Sequence, residues 1–355
     1  MKIANLRIIG SGLIGTSIAL KAIELGLKVD LVDADATAER LARDLIAQNQ
    51  ITENKLESIP DLVVVATPPI ARVEVLLGEM VRFPNATFID VASVMNDLQL
   101  KIEGFPGQKK NFIASHPIAG REISGAEGAR SDLFQGRAWV IAPLEETEVS
   151  RVEQVEEFII ALGATPYRLE VHEHDALFAA ISHLPQAVSI ALATSLSETG
   201  DGISLAGQGL RDMLRLADSD SRLWQEIFSA NRKEVIASLT RFEASLSEVK
   251  AAISQGNESE ILRIFEAAAE IKSQIGGKHG SRPRQYKYVN IVIDDRPGQL
   301  AAIFNECAAI AVNVEDLSLE HSPQQLTGLI RLALSESDAV RLHSHLEVNG
   351  WRVHF

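Results

Sequence analysis

The stretch ASHPIAGREISGAEGA, residues 114–129, puts a histidine and a proline beside many small residues, just after an apolar run. A residue before proline is pushed toward extended geometry. The preceding FIAS, residues 112–115, has the composition of a short buried strand. His116 is therefore expected at the end of a strand, where the chain turns out of a sheet. A neutral imidazole there can take the proton of a substrate hydroxyl as that carbon is oxidised. The glycines that follow, Gly120, Gly125, Gly128 and Gly136, leave room for a substrate ring. The alternative is a histidine bonded to loop backbone.

A second group of residues could hold the oxidant. Gly10, Gly12 and Gly15 stand on G-x-G-x-x-G spacing, with Leu13 and Ile14 filling it. The first glycine permits a tight turn, the second lets backbone approach a pyrophosphate, and the third lets a helix pack on a strand. The helix N-terminus then presents free N–H groups to the phosphates. Asp33 closes the next strand-like run and suits ribose hydroxyls. No arginine follows directly in Ala34, Asp35 and Ala36, which favours NAD over NADP. The alternative is a glycine turn in some other α/β domain. Thr67 and Ser93, in ATPP (66–69) and DVAS (90–93), are expected at the ends of the flanking strands, where ligands of such sheets gather. Both could instead cap the helices that follow.

Six short apolar runs must position these groups: LRIIG, KVDLVD, DLVVVAT, ATFIDV, NFIASH and AWVIAP. Alternating with amphipathic stretches, they predict an α/β fold with a mostly parallel sheet covered on both faces. TPYRLE (165–170) adds one more short strand. Helical segments are expected over 174–199, 222–254 and 258–275, with Pro185 kinking or breaking the first. GGKHGSRPRQ (276–285) has linker composition. The remainder has the order βαββαβ, a ferredoxin-like unit, with a hairpin joined by SPQQ. The expected domains are thus a Rossmann domain over 1–170, an all-α substrate and dimerisation domain over 171–275, a linker, and a small domain over 286–355.

The 355 residues suit two or three domains. The formal net charge of −14 disfavours nucleic acid and anionic membrane surfaces. An anionic substrate would therefore need a local cationic pocket, and RDMLRLA places Arg211 and Arg215 four apart, on one face if helical. For Arg211 a surface ion pair with Asp212 or Asp218 is the preferred reading. The single Cys307 permits no intrachain disulfide. The N-terminus lacks signal-peptide features, and no uninterrupted apolar run is long enough for a bilayer, so a cytoplasmic location is expected. His172 and His174 lack further ligands at metal spacing, and no metal is expected.

Taken together, SHPIAGREISGAEGA, HDALFAAISHLPQAVSIAL (174–192) and GLRDMLRLADSDSRLWQEIFSANRKEV (209–235) resemble the signatures of prephenate dehydrogenases, the family that includes arogenate and cyclohexadienyl dehydrogenases. The similarity runs from the glycine loop to about residue 275. The resemblance implies NAD(P)-dependent oxidation of a cyclohexadienol with loss of its ring carboxylate. It also implies roles: His116 as the catalytic histidine, Ser93 near the same hydroxyl, Arg215 on a substrate carboxylate, and His183 and Glu122 lining the substrate site. Trp224 lies in a region that members use at a dimer contact. Arg121 stands where many members carry a small residue. DDRPGQLAAIF in the C-terminal part resembles an ACT domain, which implies an amino-acid effector such as tyrosine, with Gly298 and Asn313 placed to bind it; a pure dimerisation module is the alternative. A homodimer is expected from the alanine-rich helices. Hydroxyacid dehydrogenases share the layout, but their Lys-x-x-x-Asn pair is absent: Ala237, Ser254 and Gly276 follow Lys233, Lys250 and Lys272. A sensor that binds NAD without turnover is the other reading.

Overall fold

The computed structural model describes residues 3–47, 59–96, 98, 102, 109–120, 123, 125–275, 286–321 and 327–355. Two compact units divide the chain, Met1–Lys250 and Ala251–Phe355.

The first unit is built on a seven-stranded sheet of order β2-β1-β3-β4-β5-β6-β7. Its strands are β1 (Asn5–Ile9), β2 (Lys28–Val32), β3 (Leu62–Val65), β4 (Thr87–Asp90), β5 (Phe112–Pro117), β6 (Ala138–Pro143) and β7 (Thr165–Arg168). All neighbours are parallel except β5 and β6, which pair antiparallel with His116 opposite Val140. All six apolar runs of the sequence, and TPYRLE, form strands. Successive residues of β3 show why the runs are continuously apolar. Leu62 and Val64 belong to the core on one face, while Val63 and Val65 belong to the core on the other. Each buried side chain of this size contributes about 1.5–3 kcal/mol. Helices α1 (Leu13–Glu24), α2 (Ala36–Ala47) and α4 (Val149–Ala161) supply residues to the first core, and α3 (Pro69–Arg82) supplies Leu76 and Met80 to the second.

After β7 come α5 (Val171–Phe178), a single wider π turn (Ala179–His183), and α6 (Leu184–Ser195). Pro185 lies in the first turn of α6, where its missing N–H costs little, and the disturbance falls in the π turn preceding it. By length and a mean hydropathy of 1.6, Val171–Ser195 would pass for a membrane span. Its buried polar residues His174, Asp175, His183, Gln186 and Ser189 argue for a site-bearing helix instead. Further on are α7 (Gln208–Leu214), a 3-10 turn (Arg215–Asp218), α8 (Ser221–Ala230), capped by the Asp220 carboxylate, and α9 (Arg232–Ser254).

The second unit contains α10 (Glu258–Gln274) and a sheet of order β11-β8-β10-β9, antiparallel throughout. The chain order is β8 (Lys287–Asp294), α11 (Gln299–Ala309), β9 (Asp316–His321), β10 (Thr327–Leu334), α12 (Glu336–Val348) and β11 (Arg352–His354), the βαββαβ order read from the sequence. One core unites Ile291, Ile330 and Leu332 with Ile303, Cys307 and Leu342. The linker 276–285 and the SPQQ turn lie outside the described residues.

Candidate active site

Because β2, β1, β3, β4 and β5 run parallel, their carboxyl ends share one edge, to which the chain brings Gly10, Asp33, Thr67, Ser93 and His116. Gly10 leaves β1 with φ +108, in the left-handed region, and a Cβ on it would lie 2.3 Å from the Ala66 carbonyl oxygen. The Gly10 N–H donates to Val32 and the Ala66 N–H to Ile9, so the loop is stapled between β2 and β3. A Cβ on Gly15 would come within 1.9 Å of the Gly10 oxygen. Gly12 differs, because a Cβ there would meet no atom within 4 Å. It opens α1 without a side-chain cap, so the first-turn N–H groups, from Leu13 and Ile14 onward, remain for a ligand. Asp33 anchors this loop as well as facing it. Its Oδ2 accepts from the Ser11 N–H at 2.6 Å and the Ser11 hydroxyl at 2.8 Å, and its Oδ1 from the Asp35 N–H. Burial alone would raise the Asp33 carboxyl, but these donors hold it below the usual range. Across the cleft, the Thr67 Oγ1 is buried with no hydrogen-bond partner among the described residues. Pro68, not Thr67, stands at the N-cap of α3, which removes the capping explanation. An open glycine, uncapped N–H groups and an orphaned hydroxyl fit a dinucleotide.

His116 is the next-to-last residue of β5, close to where the His-Pro pair predicts, and among the described residues it bonds His174 rather than loop backbone. Its Nδ1 lies 2.9 Å from Nε2 of His174, and His174 Nδ1 lies 2.8 Å from Asp175 Oδ1. The Asp175 carboxylate also accepts the N–H groups of Met95 at 3.0 Å and Asn96 at 2.9 Å. Phe178 packs on both imidazoles, at 4.8 and 4.5 Å between centroids. Burial, then the neighbouring His174 and His183, push the His116 imidazole well below the ordinary histidine value, so it is neutral and able to accept a proton.

Ser93 lies in the turn after β4. That turn is held by Arg72, whose Nη1 donates to Asp90 at 3.0 Å and to the Val94 carbonyl at 2.6 Å. The β4–β5 register, Ile89 opposite Ile113, carries Ser93 and His116 to the same edge.

The helical residues form one connected wall. His183 is buried, with Nδ1 3.2 Å from Asn231 Nδ2, and that amide donates to the Asp175 carbonyl at 2.8 Å. Trp224 is half-buried and meets the His183 ring edge-on at 5.9 Å. Gln186 donates to the Leu216 carbonyl at 2.7 Å and Ser189 to the Met213 carbonyl at 2.8 Å, so α6 grips the turn that carries Arg215. Arg215 itself is exposed and has no ion-pair partner among the described residues. Arg211 bonds the Ala206 carbonyl rather than Asp212 or Asp218. Arg121 and Glu122 lie outside the described residues. Among the described residues there is no His/Cys/Asp/Glu group able to hold a metal.

The sequence reading missed His174, Asp175, Asn231 and Arg72. The adjacency of His174 and Asp175 on a helix that also carries His183 was an available signal.

His183 makes a pH prediction. Burial holds its pKa at about 4, against an ordinary value of 6.5; Asp175 pulls it up and His174 pushes it down, both by less. The unfolded chain therefore binds the proton more readily between those values. The stability His183 confers is complete above pH 6.5 and is lost as pH falls toward 4, by about 3 kcal/mol. Urea unfolding of wild type and His183→Asn across this window should show a shallower pH slope in the variant. Equal slopes would contradict the assignment.

Beyond the glycine loop, the site lies within two matched regions. Residues 17–167 match the family model "Prephenate dehydrogenase, nucleotide-binding domain", and residues 170–267 match "Prephenate dehydrogenase, dimerization domain". A probable prephenate dehydrogenase of Streptomyces niveus is 28% identical over 356 residues, covering 97% of this chain and 98% of its own. The crystal structure of prephenate dehydrogenase from A. aeolicus, in complex with hydroxyphenyl propionate and NAD+, superposes with a TM-score of 0.69 at 27% identity, over 78% of this chain and 99% of that one. Synechocystis arogenate dehydrogenase gives 0.66 at 25%, over 76% and 99%. With Asp33, Thr67, Ser93 and His116 in the first matched region and His174, His183 and Arg215 in the second, the chain belongs to the prephenate dehydrogenases.

Proposed function

We propose that this chain is an NAD-dependent prephenate dehydrogenase, converting prephenate to 4-hydroxyphenylpyruvate and carbon dioxide. The observation that carries the reading is His116: a neutral imidazole at the same sheet edge as the dinucleotide cradle, with Nδ1 engaged by His174 and Nε2 without a protein partner among the described residues. When bound, NAD+ supplies the hydride acceptor. His116 receives the hydroxyl proton as the C–O bond gains double-bond character. It returns that proton to the oxygen when the departing carboxylate makes the ring a phenol, so no net proton is released. Ser93 orients the same hydroxyl. Aromatisation drives the carboxylate out, and no basic group is needed there.

Arg215, exposed and without an ion pair in an acidic chain, takes a substrate carboxylate. Arg215→Ala should raise KM about 30-fold, the equivalent of about 2 kcal/mol for a charged hydrogen bond, with NAD affinity unchanged. An unchanged KM would remove Arg215 from the site. His183, in contact with Asn231, shapes the wall, and the family resemblance assigns Glu122 to substrate binding. Arogenate, which carries an amino acid where prephenate carries a ketoacid, is the alternative substrate. Initial rates of NADH formation with each compound decide between them. Tight NAD binding without turnover of either would favour a sensor.

The domains are 1–170 for the dinucleotide, 171–275 for substrate and self-association, and 286–355 as a ferredoxin-like, ACT-type module. Exposed Met213, Leu223 and Ile236 on the helices favour a homodimer. In the module, Gly298 adopts φ +91 at the start of α11, and Asn313 bonds Glu315 at 2.9 Å. These residues suit an amino-acid effector such as tyrosine. The enzyme is cytoplasmic.

A further inference from the structure

His116 can act as a base only through a nitrogen that carries a lone pair, and an imidazole has two nitrogens. The contacts around it decide which one. The Asp175 carboxylate can only accept hydrogen bonds. It is anchored on both oxygens by the Met95 and Asn96 N–H groups, and Asn231 holds its main-chain carbonyl. His174, fully buried, lies with Nδ1 2.8 Å from that carboxylate, so Nδ1 carries the hydrogen. In a neutral ring the other nitrogen, Nε2, is then an acceptor. That atom lies 2.9 Å from His116 Nδ1. Two lone pairs cannot face each other at this distance without strong repulsion, so His116 Nδ1 must donate. The lone pair of His116 is left on Nε2.

We propose that His174 and Asp175 are positioning residues that fix His116 in its Nδ1–H tautomer, leaving Nε2 as the base, and spread the charge that forms on His116 along a buried chain ending at Asp175. The proposal rests on the proposed function for what the base does, but the tautomer is a property of the free protein. The arrangement also explains why one carboxylate reaches across the fold. By accepting from Met95 and Asn96 it pins the exit of the turn that carries Ser93. The group beside the hydroxyl and the base are thus set by a single residue on α5. Burial makes an isolated imidazolium at His116 costly, and the chain to Asp175 offsets that cost only while the proton is in transit. Phe178, against both rings, keeps water from replacing either partner.

Asp175→Asn is the direct test. The amide can present N–H to His174 Nδ1, which moves the His174 hydrogen to Nε2 and turns His116 to the Nε2–H form. The expected loss in kcat is about 10³-fold, since a wrong tautomer in a related arrangement of histidine and carboxylate costs about 10⁴. The Kd for NAD and the KM for substrate should change no more than about threefold. His174→Gln can still accept from His116 Nδ1 and donate to Asp175, so its loss should be at least tenfold smaller. Nitrogen-15 NMR of histidine-labelled protein reads the tautomer without reference to activity. Wild type should show His116 as Nδ1–H, and Asp175→Asn should show Nε2–H. An Nε2–H tautomer in wild type, a kcat within threefold in Asp175→Asn, or equal losses in the two variants would overturn the proposal. If Asp175→Asn does not fold, the wild-type tautomer and His174→Gln still decide it. Turnover with the wrong tautomer would sink the relay and leave the function standing. The right tautomer without turnover would do the reverse.

Discussion

Replacing His116 with asparagine is expected to lower kcat by about 10³-fold, within the 10²–10⁴ that a positioned acid–base group supplies. Asparagine can keep a hydrogen bond to His174 but has no nitrogen able to take a proton. NAD affinity should stay within about twofold, because β3 and β4 stand between β5 and the strand that carries the glycine loop. Titrating NAD into the variant while measuring its turnover separates the two. The acid limb of the wild-type kcat/KM profile should lie well below pH 6.5, because burial favours the neutral ring. A variant retaining more than a tenth of wild-type kcat would assign the proton to another group.

The other large effect comes from the glycine loop, where two glycines should fail differently. In Gly12→Ala the new Cβ meets no protein atom within 4 Å. The fold should keep its stability, yet the methyl occupies the space a pyrophosphate needs beside α1. In Gly15→Ala the Cβ would lie 1.9 Å from the Gly10 oxygen, a backbone atom that cannot swing away. The loop must shift, at about 1–3 kcal/mol, and stability and cofactor binding should fall together. Both variants should weaken NAD by roughly 10- to 100-fold, equivalent to about 1.4–2.8 kcal/mol. Thermal unfolding in the absence of NAD should then separate them, with only Gly15→Ala destabilised. Undiminished NAD binding by Gly12→Ala would place the dinucleotide elsewhere.

Much of this site is legible in the residues alone, for physical reasons. Apolar runs buried on both faces can only be inner strands of a covered sheet, and parallel strands send their carboxyl ends to one edge. Gly10, Asp33, Thr67, Ser93 and His116 therefore converge without any knowledge of tertiary contacts. What the linear chain conceals is pairing across distance. His116 and His174 stand 58 residues apart, and His174 resembles half of a weak metal pair with His172 until α5 is packed against β5. Pro185 signals a disturbed helix, but not that the disturbance becomes a π turn setting the face on which His183 lies. Asn231 sits at a helix junction where its amide serves two acceptors at once, and only packing selects it. Arg72 shows neither its burial nor its grip on the Ser93 turn until α3 is laid on the sheet.

The chemistry assigned to the strand edge that carries His116 is oxidative decarboxylation. The measurement that tests it most directly is the amount of NADH and carbon dioxide formed per prephenate consumed by the purified protein. Equal amounts of all three are expected. NADH without carbon dioxide, or no NADH at saturating NAD+ with either prephenate or arogenate, would contradict it.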